Sequence, residues 1–266
     1  MNRSEVERAA AALAGALGDR RRLDALPEDA RPASEADAYR IQDALIAQLG
    51  AEPAGWKIGA TSRMAQEMLK VGSPFAGRLL ARSTYHSPAR IPAGLMFMRG
   101  LEVEFAFRIG RDLTAGDAPF DQAAVAEAVA ALHPAIEIVD SRYHDWLAAG
   151  GLQLIADNGC HGALVLGQAV TDWRRHDLAA VETELRLNGE SVAAGAGRNV
   201  LGHPLAALTW LANHLAGRGG GLAEGELVTT GSTCSGLGWA KAGDRGEGRF
   251  GPLGVVEVAF TDGPAS

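Results

Sequence analysis

The sequence predicts an α+β domain, because its helical and strand-like patterns are segregated along the chain. Residues 1–50 carry apolar residues at helical spacing, whereas alternating segments dominate the second half. Helices and strands do not alternate regularly, which disfavours a doubly wound parallel sheet. At 266 residues and 47% hydrophobic, the chain is long enough for a sizeable core and too apolar for general disorder. We predict one domain over 1–266, with a helical arm over 1–50 and a core over 51–266.

The N-terminal arm is predicted to contain two helices. Residues 5–17 are rich in Ala and Leu, and a second apolar helical face runs over 38–49. Ser34 with Asp37 three residues later resembles a capping box with the shorter acid, so the second helix is expected to begin there. Three further helices are predicted over 63–69, 123–132 and 204–215.

The strand pattern is clearest in the segment LEVEFAFRIG, residues 101–110. Its odd-numbered positions are all apolar and its even-numbered positions include Glu102 and Glu104, which is the two-residue period of a strand. Glycine-rich segments at 217–225 and 242–254 are predicted as loops. The other predicted strands are 55–61, 135–142, 161–167, 181–190, 226–231 and 254–262.

Composition excludes several classes of protein. A net charge of −7 argues against a broad basic surface for nucleic acid or anionic membranes. No apolar run approaches the ~18 residues of a membrane span, and the first residues lack the clean apolar core of a signal peptide. The two cysteines form no zinc-binding pattern. We therefore expect a cytoplasmic protein with no nucleic-acid or membrane partner.

Three acidic residues stand where carboxylates are costly. Glu102 and Glu104 point to one face of their strand, ~7 Å apart, where like charges repel. Glu137 lies inside the apolar strand AIEIV, where a bare carboxylate would be expensive. Three converging carboxylates suit octahedral Mg²⁺ or Mn²⁺. The alternative is a solvent-facing strand that carries alternating glutamates.

Two further features of the sequence are candidates for a functional role. Lys57 is a charge within the glycine-bounded apolar segment GWKIG, where the alternative is a surface lysine. The segment TTGST, residues 229–233, ends a predicted strand in hydroxyl residues and glycine. Its backbone N–H groups and hydroxyls can hold a carboxylate, although a plain turn fits the same pattern. His133 is the histidine nearest in sequence to the acidic residues, and it is interpreted as structural.

Six ordered motifs give the chain a family resemblance over about residues 36–260. They are GWKIGATS, RGLEVEFAF, PAIEIVDSR, LIADNG, NVLGHPLAALTWLANHL and LVTTGS. The chain resembles the 2-oxopent-4-enoate (2-keto-4-pentenoate) hydratases and the 4-oxalocrotonate decarboxylases, within the fumarylacetoacetate hydrolase superfamily. The resemblance implies a mixed β-sheet roll with N-terminal and peripheral helices, and subunits that assemble into a homo-oligomer.

The resemblance also implies roles for individual residues. The three acidic ligands of the family's divalent metal, here Mg²⁺ or Mn²⁺, correspond to Glu102, Glu104 and Glu137. The family's catalytic lysine corresponds to Lys57. The region that binds the substrate carboxylate corresponds to Gly231 and Ser232.

One position departs from the family pattern. Many family hydratases carry an Asp in a Pro-Asp-aromatic-Gly segment after the lysine, and this chain has Phe75 where that Asp would fall. Asp157 and Asp140 are the candidates to replace it. We include Asp157 among the predicted substrate-binding residues.

The reaction that the resemblance implies is the metal-dependent hydration of a 2-hydroxy-2,4-dienoate to a 4-hydroxy-2-oxo acid, as in aromatic meta-cleavage catabolism. Decarboxylation of a 2-oxo-3-enedioate is the alternative, and it calls for an arginine such as Arg63, Arg78 or Arg142 to bind a second carboxylate. Two further alternatives are hydrolysis of an acylpyruvate carbon–carbon bond, which needs a strong base such as a His–Glu pair, and non-catalytic binding of a 2-oxo acid.

Overall fold

The computed structural model describes residues 1–263 and shows a mixed eight-stranded sheet beside a five-stranded sheet. Its α-helices are α1 (Arg3–Gly18), α2 (Glu35–Leu49), α3 (Arg63–Leu69), α4 (Gln122–Glu127), α5 (Trp146–Ala149), α6 (Gly151–Ala156) and α7 (Pro204–Gly217). Its strands are β1 (Pro53–Gly59), β2 (Phe75–Leu80), β3 (Thr84–His86), β4 (Ala89–Pro92), β5 (Gly100–Ile109), β6 (Val129–Val139), β7 (His161–Leu166), β8 (Glu182–Leu187), β9 (Glu190–Ala196), β10 (Leu227–Ser232), β11 (Gly238–Trp239), β12 (Arg245–Arg249) and β13 (Val255–Thr261). The predicted α+β class is confirmed.

The eight-stranded sheet has the order β2-β1-β10-β5-β6-β7-β3, and β11 pairs with the start of β5. The pairs β1–β10 and β3–β7 are parallel and the others in this sheet are antiparallel. The five-stranded sheet has the order β4-β13-β12-β8-β9. Mixed sheets with helices around them confirm the mixed β-sheet roll that the family resemblance implies, although its division into two sheets was not predicted.

Strand β5 is buried on both faces, and its alternation assigns each face a role. The odd-numbered side chains pack toward the five-stranded sheet, where Phe105 meets Phe250 edge-on at 5.5 Å between ring centroids. The opposite face carries Glu102 and Glu104, and Glu104 is fully buried. The alternation therefore separates a core face from a face that concentrates carboxylates, and no solvent-facing strand results.

The N-terminal arm is tied to the sheet by buried hydrogen bonds. Ser34 caps α2 by accepting the backbone N–H of Asp37 at 3.2 Å, as predicted. Gln42 on α2 is fully buried and donates to the carbonyl oxygens of Ala76 and Ile155, at 3.0 and 2.7 Å. These bonds join the arm to β2 and α6, which flank the site described below.

Two sequence predictions are wrong in detail. The helix expected over 123–132 ends at Glu127, because 129–139 forms one long strand whose pairing with β5 overrides the helical propensity of its alanines. The loop expected over 242–254 contains β12, where glycines let the strand lie close to the apolar face of β5. Strands β2, β3, β4, β9, β11 and β12 were not predicted.

Within residues 1–263, none of the helices combines the length and the apolar character that crossing a bilayer requires.

Candidate metal centre and active site

Three carboxylates converge on the face of the large sheet opposite its packed core. Glu102 and Glu104 point the same way from β5, and the register of β6 sets Glu137 directly opposite Glu102. One oxygen from each residue lies within 4.8 Å of the others. The structure thus brings together the three residues that the sequence predicted as metal ligands.

The chemistry of this cluster fits a divalent cation. Within residues 1–263, Glu104 Oε1 is buried without a hydrogen-bond partner, which is costly for a carboxylate oxygen unless a cation meets it. Burial, together with the charge on Glu137, raises the pKa of Glu102 to about 7 and raises that of Glu104 well above its ordinary value. Oxygen-only ligands are those that hard divalent cations prefer. The three glutamates would hold such an ion.

Lys57 on β1 reaches the same cluster from across the sheet. Strands β10 and β5 lie between β1, which carries Lys57, and β6, which carries Glu137. On a flat sheet, β1 and β6 would be roughly 14 Å apart, so the sheet must curl for the side chains of Lys57 and Glu137 to meet. Lys57 Nζ lies 3.4 Å from Glu137 Oε2 and donates to the carbonyl oxygen of Gly159 at 2.9 Å. Burial disfavours the ammonium, but Glu137 and the other two glutamates outweigh burial and raise the pKa of Lys57. The side chain is therefore protonated and is not a surface lysine.

His161 is a neighbour of the site that the sequence analysis missed. It begins β7, and its Nδ1 lies 2.9 Å from Glu137 Oε1. Burial opposes charge on Glu137, but Lys57 and the His161 hydrogen bond outweigh burial and hold the pKa of Glu137 below its ordinary value. No spacing motif marked this histidine, since the strand pairing alone brings it to Glu137. His133, interpreted as structural, contacts the Gly167 carbonyl instead, at 3.0 Å.

Asp157 lies beneath the site and not at its surface. One carboxylate oxygen accepts from the Ser141 hydroxyl at 2.9 Å, and the other is bound by the Arg142 guanidinium, which also donates to the Asp157 carbonyl. Asp157 is fully buried and does not line the cavity. It anchors the turn in which Gly159, at φ +61°, presents its carbonyl to Lys57. Its contacts are with the protein, so the structure gives no support to direct substrate binding by Asp157.

Gly231 and Ser232 lie at the end of β10 and line the cavity. The Gly231 N–H donates to Glu104 Oε2 at 2.9 Å, so it orients a predicted metal ligand and is not free for a substrate carboxylate. Gly231 has φ +96°, and a Cβ there would lie 1.9 Å from Thr61 Oγ1, so only glycine fits. The Ser232 hydroxyl donates to the Cys234 carbonyl at 3.2 Å and is partly exposed to the cavity.

The cavity above the carboxylates has a volume of about 380 Å³. Lys57 and Glu102 are the only charged side chains among the lining residues in the described part of the chain. Phe75, at the position of the missing Asp, lines the cavity with its ring centroid 5.8 Å from Lys57 Nζ. Asp140 is the other candidate to replace that Asp. It accepts a hydrogen bond from the backbone N–H of Met98 at 2.6 Å and does not line this cavity.

The three arginines considered for a second substrate carboxylate all lie elsewhere. Arg63 is solvent-exposed and pairs with Glu67 at 3.1 Å. Arg78 pairs with Glu226 at 3.3 Å, and Arg142 is committed to Asp157. None of the three lines the cavity.

Comparison with known proteins gives consistent results. The model of the fumarylacetoacetate (FAA) hydrolase C-terminal family matches residues 66–261. A 2-hydroxyhexa-2,4-dienoate hydratase of Comamonas testosteroni is 36% identical over 255 residues, 93% of this chain and 94% of that protein. A 2-keto-4-pentenoate hydratase of Paraburkholderia xenovorans (strain LB400) is 36% identical over 84% of this chain and 83% of that protein. The structure of 4-oxalocrotonate decarboxylase from Pseudomonas putida G7, complexed with magnesium and adipate, superposes with a TM-score of 0.90 at 25% identity, covering 98% of each chain.

Proposed function

This chain belongs to the fumarylacetoacetate hydrolase C-terminal family, and on that premise we propose that it is a metal-dependent hydratase. The proposed reaction adds water to a 2-hydroxy-2,4-dienoate and yields a 4-hydroxy-2-oxo acid, with Mg²⁺ or Mn²⁺ as the cofactor. The observation that carries the proposal is the cluster of three glutamates beside the buried Lys57, with Lys57 and Glu102 at the floor of one cavity. The hydratase names of relatives that align over most of the chain support it.

The glutamates and Lys57 divide the chemistry between them. Glu102, Glu104 and Glu137 would hold the divalent cation, which when bound supplies Lewis-acid stabilisation of charge on the substrate's 2-oxygen. Lys57 Nζ lies beside the same cavity, so its ammonium is placed to donate a proton to carbon 5 of the dienol while the 2-hydroxyl proton leaves to solvent. Water then adds across the remaining double bond, with its oxygen at carbon 4 and a proton at carbon 3, and the product is the 4-hydroxy-2-oxo acid. The Lys57 contact with the Gly159 carbonyl fixes the direction from which the proton arrives.

Substrate binding is assigned to the end of β10. Ser232 lines the cavity on the strand next to Glu104, its cross-strand partner. We propose that Ser232 contacts the substrate carboxylate and that Gly231 acts indirectly, by orienting Glu104. Asp157 is proposed to act indirectly as well, through the turn that presents the Gly159 carbonyl.

Hydration is favoured over decarboxylation by what the cavity lacks. The decarboxylase resemblance in overall structure is close, so the framework alone does not choose between the reactions. A 2-oxo-3-enedioate brings a second carboxylate, and within the described residues no arginine or histidine lines the cavity to receive it. A buried carboxylate without a cationic partner is unfavourable.

Acylpyruvate hydrolysis is disfavoured for a different reason. The structure does contain a His–Glu pair, His161 with Glu137, but Glu137 belongs to the metal-binding set. His161 does not line the cavity that holds Lys57 and Glu102. The pair is therefore not placed to activate a water molecule against a substrate in that cavity.

A substrate panel tests the proposal directly. The purified protein is incubated with 2-hydroxypenta-2,4-dienoate, a 2-oxohex-3-enedioate and an acylpyruvate, each with Mg²⁺ and with EDTA. We expect loss of the dienoate absorbance only with Mg²⁺, and NMR should identify a 4-hydroxy-2-oxo acid. Carbon dioxide release from the enedioate at a higher kcat/KM would refute hydration. Binding of a 2-oxo acid without turnover of any of the three would indicate a non-catalytic binding protein.

Two accompanying predictions concern assembly and location. We propose that the subunits form a homo-oligomer, which light scattering of the purified protein would test, and a monomer would refute this. The cytoplasmic location stays a prediction, and cell fractionation tests it.

A further inference from the structure

Exposed apolar side chains gather at the mouth of the cavity. Within residues 1–263, seven large hydrophobic side chains are exposed, and four of them line this cavity. They are Met64 at 65%, Met68 at 49%, Leu147 at 40% and Trp239 at 50% exposure. Exposed apolar groups that cluster in this way mark a surface that binds an apolar partner or ligand.

Three separate elements build this apolar mouth, so it does not arise from a single irregular loop. Met64 and Met68 are four residues apart on α3 and share one face of it. Leu147 comes from α5 and Trp239 from β11. The charged residues of α3, Arg63 and Glu67, pair with each other and are 91% and 69% exposed. The helix thus directs its methionines into the cavity and its charges away from it.

The cavity is therefore polarised from floor to mouth. The charged floor carries Lys57 and Glu102, and charged side chains are absent from the rest of the lining within residues 1–263. Its volume of about 380 Å³ lies within the range of pockets that enclose drug-sized ligands, roughly 300–1,000 Å³. A five-carbon dienoate bound at the floor leaves much of that space unfilled.

We propose that Met64, Met68, Leu147 and Trp239 form a subsite for an uncharged tail on carbon 5 of the substrate. The preferred substrates are then dienoates with an alkyl or aryl tail, and those that end in a carboxylate are disfavoured. This inference rests on the proposed function, because it places the 2-oxo acid end of the substrate at the carboxylate cluster. Methionine side chains adapt to tails of different shape, so a graded preference is expected.

Binding of stable 2-oxo acids tests the subsite without requiring turnover. Calorimetry of the Mg²⁺-loaded protein compares 2-oxobutanoate, 2-oxohexanoate and 2-oxooctanoate with 2-oxoadipate, which carries a carboxylate where 2-oxohexanoate has its terminal methyl. Each added methylene is expected to lower Kd about three- to fourfold. The diacid 2-oxoadipate is expected to bind about tenfold or more weakly than 2-oxohexanoate, because its second carboxylate finds no cation.

A charge placed in the mouth provides the matched variant. Met68 is half-exposed on α3, so Met68→Arg adds a cation there with little demand on the core. We expect Met68→Arg to lower the Kd for 2-oxoadipate about tenfold and to raise the Kd for 2-oxooctanoate. Val255→Arg, at a similarly exposed apolar residue of β13 outside the cavity, is the control and should change neither Kd.

Kinetics then separate this inference from the proposed function. The eight-carbon substrate 2-hydroxyocta-2,4-dienoate should have a kcat/KM about tenfold or more above the value for 2-hydroxypenta-2,4-dienoate. Turnover of both dienoates with no dependence on tail length, or equal Kd values for 2-oxoadipate and 2-oxohexanoate, would overturn the subsite and leave the hydratase proposal standing. If Kd falls with the tail length of the 2-oxo acids but no dienoate is turned over, the subsite is supported and the hydratase proposal is refuted.

Discussion

Replacing Lys57 by methionine tests whether its ammonium balances the glutamates, because the change removes the charge and keeps most of the apolar stem. Lys57 Nζ and Glu137 Oε2 are 3.4 Å apart, and both side chains are buried, at 4% and 0% exposure. At an effective dielectric constant near 20, their attraction amounts to about 5 kcal/mol. Removing one partner of a buried ion pair costs about 3–5 kcal/mol. We expect metal-free Lys57→Met to lose that much free energy of unfolding.

The same substitution should cost much less in the presence of Mg²⁺. A divalent cation on the three glutamates lowers the uncompensated charge in Lys57→Met from three to one, so most of the lost stability should return. Urea unfolding of both proteins in EDTA and in saturating Mg²⁺ measures the difference. Lys241→Met, which removes an exposed ammonium, is the control and should shift the midpoint little in either condition.

Turnover provides the second measurement on Lys57→Met. With saturating Mg²⁺ and an intact fold, kcat for the dienoate should fall by at least ~10²-fold, because the proton donor is absent. Near-normal turnover would refute the catalytic assignment of Lys57. Equal destabilisation in EDTA and in Mg²⁺ would refute the argument that ammonium and cation balance the same carboxylates.

Three other predictions follow from individual contacts. Glu102→Gln removes one ligand charge, so activity should be low at limiting Mg²⁺ and partly recover as the metal is titrated to high concentration. His161→Leu removes the hydrogen bond to Glu137, and calorimetry should show Mg²⁺ affinity about 10–100-fold weaker. Burial, with the nearby Arg218, lowers the pKa of His214 to about 4 from an ordinary 6.5. Because the folded state resists protonation, stability is full above pH 6.5 and declines as pH falls toward 4. His214 is partly exposed, so solvent screening reduces the full linkage value, and His214→Gln should abolish about 1 kcal/mol of the stability difference between pH 7.5 and pH 5, as measured by urea unfolding. An unchanged difference would contradict the assignment.

Patterns within short segments of the sequence predicted the helices and strands that such patterns are sufficient to specify. The two-residue alternation of 101–110 identified β5 and its two faces, and the apolar spacing of 38–49 identified α2. The prediction failed where pairing partners decide the structure. Residues 129–132 have helical composition, yet they complete a strand because β5 offers ten residues of backbone to pair with. A glycine-rich segment became β12 for the same reason.

The acidic residues of the site were accessible to sequence reasoning, but their neighbours were not. A charge inside an apolar strand is visible in the sequence, and this identified Glu137 and Lys57. That these two side chains meet depends on the curl of the sheet between β1 and β6, which no local pattern encodes. His161 was missed because it reaches Glu137 only through the pairing of β6 with β7.

Asp157 shows that a buried carboxylate indicates a binding site only when no other group of the protein neutralises its charge. Like Glu137, it is a fully buried carboxylate, but Arg142 compensates its charge within the protein, so nothing further is needed. At the candidate metal centre, three carboxylates face one ammonium, which leaves an excess of two negative charges when all three are ionised, and this excess contributes to the raised pKa values of Glu102 and Glu104. Burial makes that excess expensive, and a divalent cation has the charge that removes it. The same account predicts that Arg142→Met destabilises the protein equally in EDTA and in Mg²⁺, whereas the cost of Lys57→Met depends on the metal.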